Sequence, residues 1–537
     1  MLSNVLDDYL DSVGERDFDI PFLSLLPALG FYDIHLTHGS VEFGKNFIAK
    51  RLDESGCVQY AFRSKARGIT QTTWRNEIMG QILEAMWNGL SHPNFDKHLP
   101  RQVVLVCAGE FRGNAAISLD QFNETLEAQH HRPVEFWGKR YLGSLLLRHG
   151  LEGVHQASAA GFREYGQFFS LYSQAFQGML TIREIENYSR RWVDADLEPH
   201  KRLLWATVEA ELLAQQCEKH NLVFEAVQCH LACMRVLSEQ VYSQPTLTSV
   251  DLWSLQVERV HEMCSNYVTA IRRAWDAERD LVKTWFGELD VVTYPVQCLR
   301  IMELAALAYF SAPDQASKAP FGTFLRDFIS VERGCARPVS DRHAVSVVLA
   351  ALALIDQGHR SEVASLLEQA TVWVCDWYEH RIGLGGIEAA EEEESLYLLG
   401  YPFDLDEIVE RHDSFLPTAI MDLAAFLGDI GLYSDIVNDV KAVRIFPSYW
   451  QAQDTAGACR IEGRDVLTYP AVSYADHLTP FADLMFAEHI AAEPPTFQFF
   501  EAFGRFSAPA LMALLRDRYF PRLWAHLASI ERLAPPA

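Results

Sequence analysis

Tyr32–Lys65, YDIHLTHGSVEFGKNFIAKRLDESGCVQYAFRSK, is the stretch whose reading decides the fold of the first part of the chain. It divides into three strand-like runs. Tyr32 to Thr37 ends at Gly39-Ser40, Phe43 to Leu52 ends at a turn carried by Glu54-Ser55-Gly56, and Cys57 to Lys65 follows. Side chains alternate across a strand, so Val58, Tyr60, Phe62 and Ser64 share one face while Gln59, Ala61, Arg63 and Lys65 share the other. One face is apolar, and the other ends in a basic pair.

Outward from these strands the periodicity changes. Residues 1–31 read as helical with a break near Pro21, and Leu23, Leu25, Leu26, Leu29 and Phe31 are available to cover one side of a sheet. On the far side, WRNEIMGQILEAMWNGL (74–90) repeats its apolar residues at helical spacing: Trp74, Ile78, Ile82, Met86 and Leu90, with Met79, Leu83 and Trp87 beside them. An apolar strand at 102–108, a short helix at 119–128 and a closing strand complete the order α-β-β-β-α-β-α-β, which predicts an α/β sandwich.

Within this order the spacing resembles the core of the restriction-endonuclease-like, or PD-(D/E)XK, fold, specifically its Mrr-like branch. There a G-x-D element on one strand meets a (Q/E)-x-K element on the next. Gly44-Lys45-Asn46 stands at the first element and Arg63-Ser64-Lys65 at the second, so the glycine and the final lysine match. RQVVLVCAGEFRGNAAISL (101–119) resembles the later core strand with its loop, and RPVEFWGKRYLGSLLLRHG (132–150) the closing strand and helix. The resemblance covers about the first 155 residues and does not extend to the remainder of the chain.

The resemblance implies a nuclease centre in which two carboxylates hold Mg²⁺ against a phosphate and a lysine orients or deprotonates water. Lys65 stands in the lysine position. Asn46 replaces the metal-binding aspartate with a neutral amide, and Arg63 places a positive charge where a carboxylate or amide is expected. Glu42, four residues before Asn46, Glu77 on the following helix and Asp53 near the turn are the acids that could compensate, with Glu42 the first choice as metal ligand. Three readings of the centre stay open. One is an active Mg²⁺-dependent DNase that uses Glu42 or Glu77 with Lys65. Another is a pseudo-nuclease whose Lys45, Lys50, Arg63, Lys65 and Arg67 bind phosphate without cutting, and the third leaves all of these as surface charge. Gly39-Ser-Val-Glu-Phe-Gly44-Lys45-Asn46 nearly spells a phosphate-binding P-loop, but it lacks the closing Ser/Thr and precedes a strand instead of a helix.

The pattern past residue 151 is almost wholly helical, with segments expected at 198–219, 223–242, 247–284, 295–311, 339–357, 360–378, 415–431, 478–492 and 507–533. The division expected is a nuclease-like domain over 1–155, an α-α stack over 156–440, and an irregular connection with C-terminal helices over 441–537. In 247–284 the residues Trp253, Val257, Val260, Cys264, Tyr267, Ile271 and Ala274 follow 4-3-4-3 spacing, the seam of a helix that needs a neighbour, either within the chain or in a partner or second copy. GLGGIEAAEEEESLYL (383–398) reads as a solvated helix start, or alternatively as a docking surface for a basic partner. Cys229 and Cys233, near His220 and His230, read as core packing ahead of a metal site.

Composition narrows the functional classes. The chain has 537 residues and a net charge of −26, and residues 1–150 hold 15 Lys and Arg against 18 Asp and Glu, a balance of −3 that leaves −23 for the rest. Such a body repels a polyanion, so DNA would have to be held by the near-neutral N-terminal part or by a partner subunit. Ten dispersed cysteines, no bilayer-length apolar run and an acidic N-terminus without a signal-peptide pattern point to the cytoplasm. The functional expectation is a nucleic-acid-engaging bacterial defence protein, of the restriction or anti-phage kind, with a degenerate nuclease site. Its rivals are the active DNase and a helical adaptor or scaffold subunit of a multi-protein complex.

Overall fold

The computed structural model describes residues 2–37, 46–53, 56–88, 95–96, 98–151, 161–194, 197–243, 246–284, 293–380, 382–386, 391–399, 413–447, 449–451 and 466–468. An N-terminal mixed five-stranded sheet with helices is followed by a largely helical body, the coarse layout that the two periodicities predict. Two helices, α1 (Leu2–Ser12) and α2 (Glu15–Ala28), lead into β1 (Tyr32–Leu36), β2 (Phe47–Asp53) and β3 (Gly56–Lys65). A π-turn at Trp74–Ile78 opens α3 (Met79–Trp87), and β4 (Arg101–Cys107), α4 (Ala115–Ala128), β5 (Glu135–Trp137) and α5 (Lys139–Leu145) follow. The sheet order is β1-β2-β3-β4-β5, with β2 antiparallel to β1 and β3, and with β3, β4 and β5 parallel. The start of β2 and the ends of β3, β4 and β5 therefore lie on one edge of the sheet.

Each face of the sheet has its own core. Tyr60 and Phe62 meet an aromatic cluster in which Phe22 of α2 lies 5.3 Å from Phe47 and 5.5 Å from Phe62, and Phe31 lies 4.9 Å from Tyr60. The opposite face buries Ala61, Val103, Leu105 and Cys107 against Trp74, Ile78, Ile82, Leu119 and Leu126. The alternation along β3 is thus realised residue by residue. The break expected near Pro21 lies instead at Val13-Gly14, and both Pro21 and Pro27 are inside α2. A proline costs a helix interior roughly 3 kcal/mol, which burial of Phe18, Phe22, Leu25 and Leu26 offsets.

The chain divides into two compact units, Met1–Arg259 and Val260–Ala537. In the first, the residues of α2 from Phe18 to Leu26 are all buried. One side of α2 covers the sheet. The other meets α8 (Pro199–Lys219), where the Ser24 and Thr207 hydroxyls lie 3.2 Å apart. With α6 (Gly161–Phe176), α7 (Ile182–Asp194), α9 (Val223–Ser243) and the first part of α10 (Leu247–Glu278), these helices belong to the same unit as the sheet. Cys229, Cys233 and His230 are buried in that helical core.

The second unit contains α11 (Tyr294–Ser311), α12 (Gln315–Val331), α13 (Ala344–Asp356), α14 (Arg360–Glu379), α15 (Glu391–Leu398), α16 (Phe415–Leu427) and α17 (Ile430–Ala442). The single helix expected over 247–284 stops at Glu278. Glu332 then accepts hydrogen bonds from Leu281 N (2.8 Å) and Trp275 Nε1 (2.7 Å), fixing the turn that follows. Along α10 the apolar positions Trp253, Val260 and Cys264 are buried within the chain. α12 is not among the segments expected; it holds Pro320 in its interior, and Asp314 caps it by accepting Ser317 N at 2.8 Å. The glutamate run at 391–394 is not simply solvated. Glu391 and Glu394 are buried, and Glu391 accepts Arg300 Nη2 at 2.8 Å and Nε at 3.1 Å. The helices expected at 478–492 and 507–533 lie outside the described residues. No helix among the described residues is long and apolar enough to cross a membrane.

Candidate nucleic-acid interface

At the shared edge of the sheet, Asn46 stands immediately before β2 and opposite the last residues of β3. Its backbone N–H donates to Phe62 O at 2.8 Å, continuing the ladder by one position. Its side-chain Oδ1 accepts both Arg63 Nη1 (3.0 Å) and the Ser64 backbone N–H (2.9 Å), and all three residues are buried. The amide that replaces the expected aspartate therefore stitches β2 to β3. A guanidinium lies within hydrogen-bond distance of the atom that would have to ligate a metal. Two like unit charges about 5 Å apart repel by about 3 kcal/mol at an effective dielectric of about 20, and a divalent ion doubles that figure. Asn46 and Arg63 do not fit the Mg²⁺ that the resemblance implies.

The other residues expected at the site are dispersed. Lys65 ends β3, with Nζ 3.8 Å from Glu15 Oε2 at the start of α2. Glu77 is exposed on the π-turn whose buried residues are Trp74 and Ile78, so it faces away from the sheet. Lys50 pairs across the ladder with Gln59, six residues before Lys65 and so roughly 20 Å away along the strand. There it forms a 2.8 Å ion pair with Asp33, a residue with φ of 49° at the β1 irregularity, so Lys50 does not join Lys65 and Arg67 in one patch. Asp53 lies at the opposite end of β2 and pairs with Arg132 at 3.6 Å, too far along the strand to compensate for Asn46. Glu42 and Lys45 lie outside the described residues.

Beyond Lys65 the same edge opens into a cleft of about 640 Å³. The loop after β3 contributes Ala66, Arg67 and Gly68, and the loop after β4 contributes Gly109, Glu110 and Arg112. Lys139 and Arg140 enter from α5, and Asp7 and Asp11 from α1. The two loops are laced together. Ile69 N donates to Glu110 O (3.1 Å), Arg112 N to Ile69 O (2.9 Å), and Cys107 Sγ to Arg67 O (3.3 Å). Burial pushes the Cys107 thiol up to about 11, so it stays protonated as a donor. A Cβ on Gly109 would lie 2.4 Å from Gly68 N, so the loops touch backbone to backbone. Lys139 is held by Asp11 (2.7 Å) and Asp7 (3.9 Å), and Arg140 lies 3.9 Å from Glu110. Arg67 and Arg112 are exposed, and neither is in an ion pair among the described residues.

Sequence reasoning identified Arg67 and missed the rest of the cleft. The signal was the glycine-bearing segments after two strands, ARG at 66–68 and AGEFRG at 108–113, which become one site once β3 and β4 pair in parallel.

A second polar cluster lies inside the first unit, with Glu211, His230 and Tyr9 buried and Asp17 and Glu218 partly exposed. Arg259 of α10 binds Glu218 (2.6 Å) and Asp17 (3.3 Å). Nearby Glu211 is pushed up to about 8 by burial and His230 down to about 3 by burial. At pH 7 the acid keeps its proton and the imidazole has none, so their 3.8 Å approach is not an ion pair. His230 Nδ1 instead meets Gln256 Oε1 at 3.0 Å. Burial, then Glu211 and Asp17, raises the Tyr9 hydroxyl. Among the described residues no group of three or more His, Cys, Asp or Glu side chains is arranged to hold a metal ion. Compared with protein-family models, with curated proteins and with solved structures, the chain finds no match in any of the three.

Proposed function

We propose that the N-terminal sheet domain is a nuclease-like module that engages nucleic acid without cutting it, within a protein of bacterial restriction or anti-phage defence. The observation that carries the reading is the double use of Asn46 Oδ1, which accepts Arg63 Nη1 and Ser64 N where a metal-binding carboxylate is expected. Lys65 keeps the position of the nuclease lysine but lies beside Glu15. Engagement is supported by the exposed Arg67 and Arg112 on the same edge, in a chain whose remaining residues carry most of the −26 charge. The defence setting is supported by the resemblance of Gly44-Lys45-Asn46 and Arg63-Ser64-Lys65 alone.

The test is anisotropy of labelled single- and double-stranded DNA with the full chain between about 50 and 200 mM salt. Saturable binding that weakens steeply with salt is expected. Absent or salt-indifferent binding would favour the adaptor reading, in which the sheet is only a folded handle.

A further inference from the structure

We propose that the cleft at the C-terminal ends of β3 and β4 is a receptor for a single terminal phosphate on a nucleotide-sized group, carried by a free nucleotide or by the end of a strand. The inference takes its ligand class from the nucleic-acid reading above. Its geometry is independent of that reading. Open α/β sheets bind ligands in crevices beyond the carboxyl ends of their parallel strands, and this cleft lies there. Its volume of about 640 Å³ is that of a small-molecule site and suits one nucleotide, where a duplex would need a long open groove.

The charges select the same ligand. Arg67 and Arg112 offer two guanidinium forks, a match for one dianionic phosphomonoester. Their backbones are fixed before any ligand arrives, by the loop-to-loop hydrogen bonds and by the Gly68–Gly109 contact. Arg112 lies against Gly68, where an added Cβ would come 3.0 Å from Nε. Lys139 is engaged by Asp11 and Asp7, so it adds little free charge. Asp7, Asp11 and Glu110 stand against Lys139 and Arg140, so beyond Arg67 and Arg112 the lining adds no net positive charge to hold further phosphates.

The experiment titrates the full chain with a short single-stranded DNA bearing a 5′-phosphate, the same strand with a 3′-phosphate, the strand with neither, and adenosine monophosphate. A terminal phosphate should tighten strand binding about tenfold or more, the worth of at least one charge-assisted hydrogen bond. The preference should vanish in Arg67→Ala/Arg112→Ala with the melting temperature unchanged, and Arg67→Lys should lose part of it. Equal affinity for phosphorylated and unphosphorylated strands, or a preference that survives the double variant, would overturn the inference and leave strand binding intact. Nucleotide binding without strand binding would uphold the cleft and overturn the nucleic-acid reading. Binding of none of the four would overturn both.

Discussion

Two places on one sheet edge, the Asn46–Arg63 junction and the cleft beyond it, use similar residue types to opposite ends. At the junction a buried guanidinium donates to a buried amide oxygen that also accepts a backbone N–H. In the cleft two guanidiniums stand exposed on laced loops. A strand position is constrained by its ladder and by burial on its face, so a polar residue there must first satisfy its neighbours. A loop held at both ends by backbone hydrogen bonds leaves its side chains available for a ligand. The comparison predicts that substitutions at the junction act on stability and those of the two exposed arginines on binding.

The largest stability effect is expected from Asn46→Ala, which removes the acceptor shared by Arg63 and Ser64 and leaves a buried cation short of one partner. Chemical denaturation should show a loss of about 3 kcal/mol. A loss below about 1 kcal/mol would mean that the junction is not the stitch described. Gly109→Ala comes next, since its Cβ would meet Gly68 N, Gly68 Cα and the Arg67 carbonyl carbon within 2.8 Å, all of them backbone. About 2 kcal/mol should be lost, together with any binding at the cleft, because the loops must separate.

A smaller effect concerns the buried Glu211. Burial holds Glu211 at about 8 against an ordinary 4.5, so between those values the unfolded chain releases a proton that the native chain keeps. The stability associated with this group is full below pH 4.5 and falls as pH rises through 8. Asp17, Glu218, Tyr9, His230 and Arg259 surround it, and the buried neutral His230 acts in the opposite sense below its ordinary 6.5. Glu211→Gln should therefore melt roughly 5 °C above wild type near pH 8 and converge with it at acid pH. A constant offset across pH would show that Glu211 is not the titrating group. The smallest stability effect belongs to Arg67→Ala and Arg112→Ala, within about 0.5 kcal/mol, even though these are the changes expected to alter binding most.

The same contrast explains what the sequence disclosed. Alternation at Val58 to Lys65 was legible because each residue of β3 has a fixed face, and Tyr60, Phe62, Ala61 and Arg63 all obey it. Asn46 and Arg63 were legible as departures from the motif that the sequence resembles. That the two residues bond to each other required the antiparallel register that sets them opposite one another. The cleft required the parallel pairing of β3 with β4, which no local pattern encodes. Lys50 looked free until Asp33 was placed beside it, and Glu391 looked solvated until Arg300, far away in sequence, was found against it. Pro21 and Pro320 stand inside helices whose buried faces outweigh the cost of a missing N–H. The near-continuous apolar run of α2 did carry a legible hint. A helix apolar on all sides is covered on all sides, here by the sheet and by α8.

The most direct test of the central claim is incubation of DNA with the full wild-type chain and Mg²⁺ or Mn²⁺, under conditions where binding is saturated. Bound, intact DNA is expected, with Lys65→Ala, Glu42→Gln and Glu77→Gln indistinguishable from wild type in the absence of product. Metal-dependent cleavage by the wild type, lost in Lys65→Ala and in either glutamate variant, would contradict the claim and establish a working nuclease whose acidic ligand has moved.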